Sequence, residues 1–549
     1  MKKKIALFIS LGLITLLTAC NSGVPFEYEE YSHDSAFINT HSEINAAGYY
    51  RHKKQGSIDL NKTFNGVQVV NNLYDLKAAS EKKAIMPSYS LNSGDEYEPK
   101  DLNLLVVPLA YRDSPSYHND KLKEELTIKI QNAFFGTKKH NNYYSVSEYY
   151  EKASYGHIHL RGEVTQFYEY DVPSTSIENR IDEAKKIVVD IANYLNTEHS
   201  VDLTKYDQNS DNHIDGIYVV YDHPSAISDQ GDKLLFWQVT SQVEDNELGN
   251  IIGGHQNRND EYSPNIRDFS WSSTDCLGTK GIVSSNYYLH ECGHLFGLED
   301  YYNTGKGYYQ PTGFFDMMDY NIGDHSAFSK YLLNWTSPYV VTDSCTIKLK
   351  PFNSSGQFIL IPADLERFES HQTPYDEYLL LEFFAPTGLN DSSDFPSYRY
   401  YDKDGNSKIY NYPSVYGLKV YHVDARLAYY SGSSVSKTSR VDYIYKYNDI
   451  ADKSSLKNIN YAYHNKTDED ENDAPVLYHL LERSGNNSFV NGNGASNKTL
   501  FQLHDNFGVN VFKDFSFHGD DETNNHPLEY TFEISRFSLK EITINFKKK

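Results

Sequence analysis

The chain has 549 residues, a formal net charge of -24 and 14% aromatic residues, among them 48 tyrosines. That length accommodates three or four domains of about 150 residues each, and so large a negative charge argues against holding a phosphate backbone or an anionic lipid surface by bulk electrostatics, so nucleic acid is not an expected partner. The tyrosine rings supply burial that acidic disordered chains lack, and a folded protein with a polar surface is expected.

Lys2, Lys3 and Lys4 precede an apolar run from Ile5 to Leu17, followed by Leu17-Thr18-Ala19-Cys20. The run is too short to span a bilayer and reads as an export signal over residues 1–19. Leu-Thr-Ala-Cys resembles a bacterial lipobox. The resemblance implies lipidation of Cys20 and attachment to the extracellular face of the bacterial cell membrane, stable if Cys20 carries more than one acyl chain. Beyond Cys20 only Cys276, Cys292 and Cys345 remain, an odd and small number that allows at most one bridge and no disulfide framework.

Residues 20–85 are polar and weakly periodic, in keeping with a tether or a pro-segment. Residues 86–340 carry a sharper signal. "DLNLLVVPLAY" (Asp101 to Tyr111) is a buried strand between turn-rich flanks. "LKEELTIKIQNAFFG" has helical spacing and stops at Gly136. Ser145 and Glu148 form a candidate capping box for the next helix, which ends by Gly156. "HIHLRGEVTQFYEYDV" alternates as a strand does. Thr175 and Glu178 suggest a second capping box, opening a helix with Ile177, Ile181, Ala184, Val188, Ile191 and Leu195 on one face.

In "YDQNSDNHIDGIYVVY", Asp207, Asn209, Asp211 and Asp215 occupy positions one, three, five and nine of a calcium loop. Position six is Asn212 rather than glycine and position twelve is Tyr218 rather than glutamate, so the segment is not an EF-hand. It is a calcium site of another kind or an Asn/Asp-rich turn before a strand.

"YYLHECGHLFGLEDYYN" (Tyr287 to Asn303) places His290 and His294 one helical turn apart, where both imidazoles reach one ion. Glu291 lies about 100° round the helix from His290, close enough to take a proton from a metal-activated water. Leu289, Cys292 and Phe296 form a separate packing face. Gly297 can end the helix in a left-handed conformation, which brings Asp300 round as third ligand, with Glu299 as its local competitor. Asp316 and Asp319 are more distant alternatives, and no glutamate occurs between Glu299 and Glu366.

With Phe315-Asp316-Met317-Met318-Asp319 downstream, this pattern resembles the metzincin zinc endopeptidases, and within them the immune inhibitor A-type metallopeptidases. Similar stretches run from about Met86 to Leu427. The resemblance implies an α+β fold, a mixed sheet plus an active-site helix. It also implies Zn²⁺ on His290, His294 and Asp300, with Glu291 as general base. Met318 would form the floor beneath the metal, with Met317 as its neighbour in the assignment, and Tyr320 would help hold the oxyanion. Two features depart from the pattern: much of that clan uses histidine as third ligand, and Cys292 inside the motif is unusual.

Residues 341–549 show short apolar runs separated by Gly, Asn, Asp and Pro, such as "QFILIPA", "EYLLLEFF" and "EITINFK", and suggest one or two β-sandwich-like modules. His422 and Asp424 fall on one side of a strand and read as a polar pair, with ion binding or support of the cleft as alternatives. The expectation is a membrane-anchored zinc endopeptidase acting on proteins or peptides. Its rival is a surface-binding lipoprotein, an adhesin or carbohydrate reader, that keeps the same fold.

Overall fold

A computed structural model describes residues 100–549 and, before them, the strands Tyr49–Arg51, Thr63–Phe64 and Val67–Gln68. Outside the description lie residues 178–179, 198–200, 209–211, 226–235, 237, 244–254, 257–261, 279–282, 299, 304–307, 334, 337, 366–367, 369–373, 375, 426, 432–439, 445–457, 461–475 and 519–525. The export signal and Cys20 therefore lie outside it too, as does most of the 20–85 segment.

From residue 100 onward, strand β1 (Lys100–Tyr111) is followed by helices α1 (Asp120–Phe135) and α2 (Val146–Ala153) and strands β2 (Ile158–Val164) and β3 (Tyr168–Tyr170). Helix α3 (Arg180–Thr197), strands β4 (Ile217–Tyr221), β5 (Val239–Gln242) and β6 (Asp268–Ser273), and helix α4 (Asn286–Leu295) complete this part. The sheet runs β2-β1-β4-β6-β5, with β3 also on β1. Its pairs are parallel except for β5, which lies antiparallel to β6 at the edge.

Parallel neighbours need crossovers, and helical crossovers cover both faces of a sheet. Leu102, Leu104, Val106 and Ala110 of β1 enter a core with α1, α2 and α4. Leu105, Val107, Leu109 and Tyr111 enter another with α3. That double burial explains why β1 reads as a continuous apolar run.

Three local expectations are modified by tertiary contacts. Gly136 does end α1, but with φ of -80° rather than a left-handed turn; a Cβ there would stand 2.5 Å from the Asn132 carbonyl oxygen, so close approach is what requires glycine. At Ser145 only half the capping box forms. The hydroxyl accepts from Glu148 N–H at 3.2 Å, while the Glu148 carboxylate accepts from Lys138 N–H at 2.7 Å. Thr175 does not cap α3. Asp113 accepts from both the N–H and the hydroxyl of Ser174 at 2.8 Å, which ties Ser174–Ser176 into a separate 3₁₀ turn. Glu178 lies outside the described residues. From Ala184 onward the expected face of α3 is buried.

Beyond α4 come two short helices, α5 (Met317–Tyr320) and α6 (Ala327–Leu332), and the β-rich part. Its principal strands are β7 (Tyr339–Val341), β8 (Cys345–Leu349), β9 (Phe358–Pro362), β10 (Glu377–Phe384), β11 (Gly417–Asp424), β12 (Tyr478–Leu480), β13 (Asn506–Phe507), β14 (Ser516–Phe517), β15 (Tyr530–Phe537) and β16 (Ile542–Lys548). One sheet is ordered β7-β9-β10-β11-β12, with Tyr49–Arg51 as a sixth strand beside β7, so part of the 20–85 segment adds to this sheet. A four-stranded sheet, β8-β16-β15-β13, packs on it through Ile347, Leu349, Ile361, Leu381, Ile534 and Ile544.

The opposite face of the six-stranded sheet presents Leu360, Leu380, Tyr421 and Val423 to the core that holds α4 and α6. The first core therefore runs on across residue 340. A sheet covered on both sides has no polar face: β9, β10 and β11 are buried throughout, whereas β15 and β16 alternate. The architecture is mixed α/β, a mixed sheet followed by several β-sheets. Cys276, Cys292 and Cys345 are buried and free. Among the described residues no helix is long and apolar enough to cross a membrane.

Candidate metal centre

Helix α4 packs on β6 and β5, with the Tyr288 hydroxyl donating to the Ser273 carbonyl at 2.9 Å. Leu289, Cys292 and Phe296 are buried as expected, and Phe296 meets the rings of Tyr150 on α2 and of Trp335. The helix then ends in a way that decides the site. Gly297 has φ of +87°, and two bonds close the reversal: Gly297 N–H to the His294 carbonyl at 2.8 Å and Leu298 N–H to the Gly293 carbonyl at 3.1 Å. This is the Schellman arrangement, and three residues later Asp300 stands facing the two histidines. Alanine at Gly297 would have to hold a left-handed conformation at a cost of about 1–2 kcal/mol. Gly297→Ala is expected to lower the denaturation midpoint of the zinc-free chain by a corresponding amount; an unchanged midpoint would show that the reversal does not depend on glycine.

The imidazoles converge on one carboxylate oxygen. His290 Nε2 lies 2.9 Å and His294 Nε2 3.3 Å from Asp300 Oδ1. The other ring nitrogens are engaged with backbone carbonyls: His290 Nδ1 with Met317 at 3.0 Å and His294 Nδ1 with Leu298 at 2.7 Å. A carbonyl only accepts, so each Nδ1 carries a hydrogen, and each Nε2 is left to face the shared point, with a lone pair available there when that nitrogen carries no proton. Backbone carbonyls in this outer position are what orient metal-binding histidines. Two nitrogens and one oxygen from three side chains also match the protein ligand count of catalytic zinc sites, which leave one position open for water.

Electrostatics agrees with a site made for a cation. Burial alone would lower the pKa of His294, but the charge of Asp300 and its hydrogen bond overcome that and lift it to about 10. Burial likewise opposes ionisation of Asp300, yet the histidines hold it well below the usual carboxylate range. Metal binding would displace the Nε2 proton of His294.

Glu291 is buried beside the cluster, and burial, the largest influence, raises its pKa. Its Oε2 lies 3.1 Å from the Thr240 hydroxyl on edge strand β5, and Ser270 Oγ donates to its backbone carbonyl at 3.2 Å. Met318 lies under α4: a Cβ on Gly293, between the two histidines, would stand 2.5 Å from Met318 Sδ. The neighbouring Met317 supplies the carbonyl that holds His290. Asp316 caps α5, accepting from Met318 N–H at 2.9 Å, and also accepts from Tyr478 of β12 at 3.4 Å. Asp319 accepts from Thr312 and from Phe314 N–H. Both aspartates thus shape the methionine turn, while Glu299 lies outside the described residues. The C-terminal sheet supports this turn a second time, through Lys419 Nζ, 3.8 Å above the Phe315 ring and paired with Glu382 at 3.0 Å.

Tyr320 packs against Phe314 and Tyr398, with ring centroids 4.8 and 5.4 Å away, in the wall of a cavity of about 590 Å³. The tyrosine bonded to the His290–His294–Asp300 cluster is Tyr302. Its hydroxyl donates to Asp300 Oδ2 at 2.8 Å, its ring stacks 6.5 Å from His290, and it lines the same cavity as Tyr320. Neither Tyr302 nor Thr240 belongs to the motif that the sequence displays. Tyr302 had one available signal, its place two residues after the third ligand; Thr240 had none.

Of the four residues expected to hold calcium, Asn209 and Asp211 lie outside the described residues. Asp207 Oδ2 accepts from Asn212 N–H at 3.1 Å and Asp215 Oδ2 from Gln208 N–H at 2.6 Å, so both carboxylates fold the turn. Asn212 has φ of +73°, taking the left-handed conformation that glycine supplies at this position of a calcium loop.

No protein-family model matches the chain, and no curated protein matches it.

Proposed function

We propose that this chain is an exported, lipid-anchored zinc endopeptidase that hydrolyses peptide bonds in proteins or peptides. The observation that carries the reading is the convergence of His290 Nε2 and His294 Nε2 on Asp300 Oδ1 with both Nδ1 atoms engaged by carbonyls. Zn²⁺ on these three residues would polarise the scissile carbonyl and lower the pKa of a bound water. Glu291, buried one residue from His290, takes the proton of the attacking water and passes it to the leaving amine. Tyr302 orients Asp300, and Tyr320 serves the oxyanion from the cavity wall. Strand β5, last in the order of the described sheet and tied to Glu291 through Thr240, is the strand beside which an extended peptide would lie. The resemblance to immune inhibitor A-type metallopeptidases points to the same chemistry.

The test is casein cleavage by the chain from Asn21 onward. Cleavage is expected to stop on addition of a chelator and to return with zinc. Absence of cleavage by zinc-loaded protein, or cleavage indifferent to the chelator, would overturn the reading.

A further inference from the structure

A second convergence of metal-binding side chains lies far along the chain from α4. Strands β10 and β11 are antiparallel, and their register sets Glu377 directly opposite Asp424, both fully buried. Like charges at one rung of a ladder are destabilising. Two imidazoles gather at this rung. His422, on the same side of β11 as Asp424, places Nε2 2.8 Å from Glu377 Oε1. His518, immediately after β14, places Nδ1 3.3 Å from the same oxygen and 2.9 Å from Asp424 Oδ2, and its backbone N–H donates to Glu377 Oε1 at 2.7 Å.

The ligand atoms of Glu377, His422 and His518 all lie within 4.8 Å of one another. Atoms bound to a tetrahedral zinc at 2.0–2.1 Å stand about 3.3 Å apart. The separations here, 2.8 and 3.3 Å, nearly repeat the 2.9 and 3.3 Å at Asp300. Phe515 and Phe517, with ring centroids 5.3 and 5.8 Å from that of His422, give the cluster apolar walls. His479 faces His422 across the β11–β12 pair, its ring edge-on at 5.6 Å.

We propose that Glu377, His422 and His518 bind a structural Zn²⁺ that clips the end of β14 onto the six-stranded sheet, with Asp424 beside His518. Two imidazoles and one carboxylate suit zinc, and the burial of Glu377 and His422 beside the Phe515 and Phe517 rings marks a structural ion rather than a substrate site. The ion would neutralise the opposed carboxylates and join segments 141 residues apart in the chain. The His518 side chain is 43% exposed, so the ion has a route in and the residue can be replaced with little loss of packing.

The experiment is zinc content of the full chain by mass spectrometry, with thermal melts across a titration of zinc chloride. The unmodified chain is expected to hold about two equivalents, and His290→Gln/His294→Gln and His518→Gln about one each. Zinc is expected to raise the melting temperature of the His290→Gln/His294→Gln variant, and this rise should vanish when His518→Gln is added. The proposal is overturned if His518→Gln holds as much zinc as the unmodified chain, or if His290→Gln/His294→Gln takes up none. The second outcome needs no alteration of the proposed site, so it holds whether or not His518→Gln folds. Failure of the α4 site alone would show differently, as a single equivalent that is lost only with His518.

Discussion

Replacing Glu291 by glutamine is expected to slow peptide hydrolysis by about 10²–10⁴-fold, or about 2.7–5.4 kcal/mol in activation free energy, while zinc at His290 and His294 is retained. The two halves of this result have separate causes. Glutamine is nearly isosteric with glutamate and can keep the contact with Thr240, but it cannot accept the proton of the attacking water. Zinc is retained because the converging ligand atoms belong to His290, His294 and Asp300 and not to Glu291. Stability should not fall either, because burial disfavours the charged form of Glu291 and glutamine carries no charge. Casein turnover and zinc content of the same preparation decide the matter. Undiminished turnover would remove Glu291 from the mechanism; loss of zinc together with turnover would make it a ligand instead.

Asp300→Ala is expected to do the reverse, losing metal first and activity as a consequence. Changes to groups that merely orient zinc ligands weaken metal binding by about 10–100-fold, and deleting a ligand should exceed that. The carboxylate has three partners here, His290, His294 and the Tyr302 hydroxyl, so its removal leaves the two imidazoles without the charge that draws them together. Zinc content should drop by one equivalent relative to the unmodified chain, and raising the zinc concentration should restore little turnover. A variant with full zinc content would shift the role of third ligand to another residue, and Glu299 would be the first to examine.

The β-rich region belongs to the same physical argument. Tyr478 reaches Asp316, and Lys419 covers Phe315, so strands more than 100 residues downstream brace the turn that carries Met318. Because one face of the six-stranded sheet is buried in the core that holds α4 and the other against the four-stranded sheet, a disturbance of its strands is expected to be felt on both sides.

What could be read from the sequence was short in range. Helical spacing placed His290 and His294 together, and the preference of glycine for positive φ turned the chain back to Asp300, all within eleven residues. Even local signals gave way where a distant group competed: Asp113 took Ser174 and left Thr175 out of the helix start, and Glu148 turned to Lys138. The continuous apolar run of β10 showed that the strand was buried but not what buried it.

The amino-acid sequence by itself determined the pair of histidines, the glutamate between them and the reversal at Gly297, because periodicity and backbone preference act over a few residues and need no partner. Only the tertiary structure decided that Met318 underlies Gly293, that Tyr302 holds Asp300, that Thr240 meets Glu291, and that His518 joins Glu377 and His422. Those neighbours are chosen by strand register and core packing across tens to more than a hundred residues, where the spacing of letters along the chain carries no information about distance in space.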